Sequence, residues 1–98
     1  MNRLLPANPN ELEELSPGIR GYTMERDGAL YIPLVIATER GTGAMKRYFD
    51  VLMASGRTVK FPNVVSEQLR GMLERRGFRL TVERDDLFGE EVDVWVYP

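Results

Sequence analysis

Arg40-Gly41-Thr42-Gly43-Ala44-Met45 is the stretch that decides how the rest of this chain is read. It lies between an apolar run, Ala29 to Ala37, that reads as a strand and an amphipathic run, Ala44 to Ala54, that reads as a helix. A strand, a tight glycine-rich turn and a helix N-terminus together form an anion site. The first-turn N–H groups have no partner within the helix, the macrodipole adds about half a positive charge, and glycines let a phosphate approach the backbone. Arg40 would add a guanidinium to those amides. Glycines also precede helices wherever a loop needs positive φ, so these six residues alone leave both readings open.

On the N-terminal side of the turn, Ile19 to Arg26 reads as a strand, Asp27-Gly28 as a two-residue hairpin turn and Ala29 to Ala37 as the return strand. The return strand is apolar almost throughout, as expected of a central strand covered on both faces. Pro33 inside it cannot donate to a ladder, which calls for an edge position or a bulge. On the C-terminal side, Met45, Tyr48, Phe49, Leu52 and Met53 recur at helical spacing and form a core stripe, Ser55-Gly56 ends that helix, and Thr58 to Phe61 is a short strand. This β-turn-α-β unit should pair its two strands in parallel and bind a ligand at their carboxyl ends.

Farther out, Pro62-Asn63 breaks the strand and Ser66 caps a second helix running to Arg76, with Leu69, Met72 and Leu73 inward and Gly77 at its C-terminal cap. Phe78 to Arg84 and Val92 to Tyr97 read as strands joined by an acidic loop, Asp85 to Glu91. Alternation puts Val92, Val94 and Val96 on one face of the last strand and Asp93, Trp95 and Tyr97 on the other, which is read as the exposed side. Near the N-terminus, Asn8-Pro9-Asn10-Glu11 has the capping residue, first-turn proline and following Glu of a short helix, Pro9 to about Leu15, stopped by Ser16-Pro17-Gly18. The expected fold is α/β (α+β): one domain with a mixed sheet of about five strands, two main helices and a short N-terminal helix.

Composition narrows the chemistry. The 98 residues make room for one small domain, and 43% apolar with 29% charged residues is the balance of a globular protein. No apolar run approaches the roughly 18 to 20 residues of a membrane span. Met1 to Leu5 has no signal-peptide core, so a cytoplasmic location is expected. Cysteine and histidine are both absent. That excludes disulfides, thiolate nucleophiles, Cys or His zinc sites and imidazole acid/base chemistry. Carboxylates, tyrosines, hydroxyls, lysines and the backbone remain, and no Asp-x-Asp-x-Asp-Gly spacing marks a cation loop. Charge is uneven: Arg40 to Arg84 holds ten Lys and Arg against four Asp and Glu, whereas Asp85 to Pro98 holds five acids and no base. An anionic ligand at the basic middle is one reading; a solvated helix face for Arg70, Arg75, Arg76 and Arg79 is the other. Nucleic acid is disfavoured, because the basic residues are not interleaved with aromatics and the whole chain carries a net charge of −2.

The order β, β, Gly-rich turn, α, β, α ending in Gly-Phe, β, β resembles the conserved half of the GNAT acyltransferase superfamily, over about Ile19 to Tyr97. Family members carry a Gln/Arg-x-x-Gly-x-Gly/Ala turn, and Arg40, Gly41, Thr42, Gly43 and Ala44 match its Arg-Gly-x-Gly opening. The resemblance implies that Arg40 and the amides of Gly41, Thr42, Gly43, Ala44 and Met45 hold the pyrophosphate of coenzyme A. It also implies that the strand ending in Ile36 and Ala37 is bulged and splays to admit pantetheine. Asn63-Val64-Val65-Ser66 approximates the Asn-x-x-Ala start of the family's closing helix, which would put Asn63 and Ser66 beside the cofactor. Acetyl-CoA would then be the co-substrate and an amine, such as a protein lysine, the acceptor.

The sequence departs from the family pattern in three places. Met45 stands where Gly or Ala is usual, so its side chain would point away from the phosphates. The tyrosine that many members use as general acid, four residues before the Gly of Gly-Phe, is Leu73, and counting from Asn63 instead lands on Arg70. Most of the N-terminal half, with its acceptor-binding helices, has no counterpart. Glu39 is the nearest carboxylate for a base, and Tyr31 or Tyr48 would protonate the leaving thiolate; core packing is the other reading for both tyrosines. Two functions follow: an N-acyltransferase, or a GNAT-like protein-binding or structural module without catalysis, with Trp95 and Tyr97 at its interface. A homodimer could build the missing wall of an acceptor cleft.

Overall fold

The computed structural model describes residues 12–39, 41–85 and 89–97. It is an α+β fold in which six strands form one mixed sheet: β1 (Glu13–Ser16), β2 (Ile19–Arg26), β3 (Ala29–Ala37), β4 (Val59–Pro62), β5 (Arg79–Asp85) and β6 (Glu90–Tyr97). Helices α1 (Ala44–Ala54) and α2 (Glu67–Arg75) interrupt them, and the order across the sheet is β1-β2-β3-β4-β6-β5.

The hairpin at Asp27-Gly28 and the parallel pairing of β3 with β4 both occur as expected. Pro33 resolves to a bulge, at the point where β3 leaves β4. Between the pairs Tyr22–Leu34 and Met24–Tyr31, β3 spends three steps where β2 spends two, so one extra residue is taken up across Ile32 and Pro33. The ladder to β4 consists of Leu30–Val59 and Tyr31–Lys60 and ends where the bulge begins. From there β3 runs on to Ala37 paired with β2 alone.

Two expectations are corrected. The short N-terminal helix does not reach Leu15: Glu13–Ser16 is a strand, paired antiparallel with Ile19–Gly21 across the Pro17-Gly18 turn, while the capping residues Asn8 to Glu11 lie outside the described residues. The sheet therefore has six strands, not about five. The faces of β6 are also exchanged. Trp95 is 7% exposed and belongs to the main core, and Tyr97 packs on Phe78 with ring centroids 5.2 Å apart, so this is the covered face. The valines lie on the side away from the helices.

Both helices pack on the face that carries Ile19, Ile32, Val59, Phe61 and Trp95. Tyr48, Phe49 and Leu52 of α1 and Leu73 of α2 close this core, with Phe49 meeting Phe61 edge-on at 5.5 Å and Phe61 meeting Phe78 at 5.6 Å. Burying side chains of this size contributes about 1.5 to 3 kcal/mol each relative to exposure. Arg76, one of the four arginines read above as ligand-binding or solvated, does neither. Its guanidinium pairs with Asp50 at 2.8 Å and lies 5.4 Å from the Phe49 ring centre, which ties the end of α2 to the middle of α1. Among the described residues no helix is long and apolar enough to cross a membrane.

Candidate functional site

A cavity of about 520 Å³ opens between the last third of β3, the glycine-rich turn and the first turns of both helices. This is the size range of small-molecule and cofactor sites. Its walls come from three directions. Val35, Ile36 and Ala37 come from β3 after the bulge, Glu39, Gly41 and Gly43 from the turn, Ala44, Met45 and Lys46 from the start of α1, and Ser66, Gln68, Leu69 and Met72 from α2 and its cap. Residue 40 lies outside the described residues, so the Arg40 expectation has no structural counterpart here.

The turn is built by its residue types. Gly43 is the N-cap of α1 and sits in the left-handed region at φ 75°, where a side chain is disfavoured. Thr42 braces the loop from within. Its carbonyl accepts from Arg47 Nη1 at 2.7 Å, and its hydroxyl lies 3.4 Å from the Glu39 carbonyl it donates to and 3.4 Å from the Ala44 N–H it accepts from. Thr42 thus shapes the site without lining the cavity. No side chain caps α1 at its Gly43 N-cap, and its first turn carries no acid, so its dipole has no anionic complement there. At α2 the arrangement is different: the Ser66 hydroxyl accepts from the Leu69 N–H at 3.2 Å and Glu67 occupies the first turn. The positive pole of the cavity is therefore the α1 end, where Lys46 adds a cation.

The structure brings together most of the residues singled out from the sequence. Ile36, Ala37, Glu39, Gly41, Gly43, Ala44, Met45 and Ser66 all line this cavity. Met45 does so while also packing against the core, so its side chain is an apolar wall. Asn63 is not among the lining residues. It ends β4 at φ 54°, with its N–H donating to the Asp93 carbonyl at 2.7 Å.

The two tyrosines lie elsewhere. Tyr48 is 5% exposed in the core, where burial pushes its hydroxyl pKa up to about 12. Tyr31 is 5% exposed on the helix-free side of the sheet, and its hydroxyl donates to Glu83 Oε1 at 2.7 Å and accepts from Lys60 Nζ at 3.2 Å. Lys60 also pairs with Glu83 Oε2 at 2.7 Å. Burial raises the Tyr31 pKa and the bond to Glu83 raises it further. Burial would raise that of Glu83 too, but hydrogen bonds from Lys60 and Tyr31 outweigh it and hold the carboxylate below its ordinary value.

Sequence reading missed five lining residues: Val35, Lys46, Gln68, Leu69 and Met72. Leu69 and Met72 were expected to face inward, but toward the core. Lys46 and Gln68 share one usable signal, since both fall in the first turn after a recognisable cap and any ligand held by two helix N-termini meets such positions first. Among the described residues no group of three or more carboxylates is arranged to hold a metal ion. No family model matches this sequence, and no curated protein or solved structure matches it.

Proposed function

We propose that this protein binds an acyl-CoA and transfers its acyl group, acetyl in the simplest case, to an amine, as the resemblance to GNAT acyltransferases implies. One observation carries the reading. The N-terminus of α1, with glycine at its N-cap, no acid in its first turn and Lys46 beside it, faces a cavity of about 520 Å³ flanked by the stretch of β3 that has left β4. The amides of the turn suit a pyrophosphate. Among the described residues the β4-facing edge of β3 beyond Pro33 has no strand partner, so its backbone groups can pair with the amides of a pantetheine arm that follows it toward the point where the two strands meet at Tyr31.

The chemistry asks for positioning above all. The amine attacks the thioester carbonyl, an N–C bond forms, the C–S bond breaks, and coenzyme A leaves as the thiolate. Glu39, at the cavity wall, takes the amine's proton directly or through water. Tyr31 would have to give up its bond to Glu83 before it could protonate the thiolate, and Tyr48 lies within the core, so solvent is the simpler proton source.

A second reading has its own observation. Leu73, where GNAT members carry the acidic tyrosine, is fully buried in the core, which favours a GNAT-like module that binds without turnover. Release of free thiol from acetyl-CoA, followed with a panel of polyamines, lysine and lysine peptides, separates the two. Amine-dependent release that falls at least about tenfold in Glu39→Gln supports transfer. Binding of acetyl-CoA with no release for any amine supports the module.

A further inference from the structure

We propose that this chain forms a two-fold homodimer through the outer edge of β5, residues 79–83 of one copy running antiparallel to the same residues of a second so that the two sheets become one. The sheet has two outer strands, and among the described residues only the β1 edge carries protecting features. β1 is four residues long and carries a register shift between Glu14 and Ser16, both of which blunt an edge. β5 is seven residues long and pairs with β6 at every position from Arg79 to Asp85 without a shift, so its outer side presents a regular row of backbone donors and acceptors that has no strand partner among the described residues. Leu80 and Val82, two of the most exposed large apolar side chains, stand on this strand at 48% and 55% exposure.

The occupant is fixed by self-complementarity. A two-fold axis through Thr81 sets Thr81 opposite Thr81, Leu80 opposite Val82 twice, and Arg79 opposite Glu83 twice. Paired residues share a face, so the apolar pairs meet on the helix side of the sheet and the opposite charges meet on the other. Among the described residues Arg79 makes no ion pair, and Glu83, held as a carboxylate by Lys60 and Tyr31, still has exposed surface for it. A one-residue move of the axis loses the Arg79–Glu83 match: about Leu80 it sets Arg79 opposite Thr81, and about Val82 it sets Glu83 opposite Thr81 and Leu80 opposite Arg84. The inference is independent of any ligand.

Two measurements test it. The chain has no cysteine, so Thr81→Cys introduces one thiol per copy. Cα atoms of directly opposed antiparallel residues lie about 4.5 to 5.5 Å apart, within disulfide reach. Mild oxidation should link Thr81→Cys into a covalent dimer at least about tenfold faster than Val51→Cys, an exposed control on α1. In parallel, sedimentation equilibrium of the wild type should give twice the chain mass at about 100 µM, and Arg79→Glu and Val82→Lys should each weaken association about tenfold or more while leaving the circular dichroism unchanged. Equal cross-linking rates at the two positions, a monomeric wild type, or a dimer that persists unweakened in either variant would overturn the proposal.

Discussion

Gly21 lies against the carbonyl oxygen of Leu34 on the neighbouring strand, so close that a β-carbon at residue 21 would collide with that oxygen and approach Leu15 Cδ1 to 2.9 Å. The contact follows from the bulge: the extra residue across Ile32 and Pro33 re-aims β3, and the following carbonyl settles over the one position of β2 without a side chain there. Gly21 pairs with Val35, the first wall residue of the cavity, so the same contact seats the β3 side of the site. Gly21→Ala should lower unfolding stability by about 2 to 3 kcal/mol, since backbone must move to admit the methyl group. Urea unfolding would show it; a loss below about 0.5 kcal/mol would mean that the bulge adjusts freely.

The cluster of Tyr31, Lys60 and Glu83 predicts a pH signature. Glu83 has a folded pKa below its ordinary 4.5, so its contribution is full above that value and is lost as pH falls through the lower folded one. Lys60 is raised above its ordinary 10.5, chiefly by its bond to Glu83, so its contribution is full below that value and fades as pH rises through the folded one. Glu83→Gln should cost about 1 kcal/mol at neutral pH and progressively less in acid. A cost that does not shrink between neutral pH and pH 3 would contradict the assignment.

Arg76 predicts a different profile. Its guanidinium meets both the Asp50 carboxylate and the Phe49 ring, so Arg76→Ala should destabilise by about 1 to 2 kcal/mol. Arg76→Lys should recover only part, because an ammonium cannot lie flat on the ring while pairing with Asp50. Full recovery in thermal unfolding would reduce the contact to simple charge pairing.

Much of the fold was legible because local signals and tertiary demands agreed. Pro33 announced an edge or a bulge, Asp27-Gly28 a hairpin, and Tyr48, Phe49 and Leu52 the buried stripe of α1. β1 was not legible, because Glu13 to Ser16 has no strand signature and is extended by pairing with β2 across Pro17-Gly18, a tertiary effect that outweighs the capping pattern before it. The faces of β6 were misassigned for another reason: valines alternate with Trp95 and Tyr97, both sets can be buried, and Asp93 made the aromatic side look solvated. The cavity was half legible. Gly41 and Gly43 marked the turn, but Gln68 and Met72 become walls only because α2 packs alongside α1, which no local pattern encodes.

The most direct test of the central claim is isothermal titration of acetyl-CoA and coenzyme A into the purified protein, beside Lys46→Glu. The account predicts binding with a dissociation constant on the order of 10 µM for the wild type, weakened about tenfold or more in the variant, whose altered side chain lies on the cavity wall away from the core. No heat of binding from either ligand at about 100 µM protein, or equal affinity for wild type and variant, would contradict it.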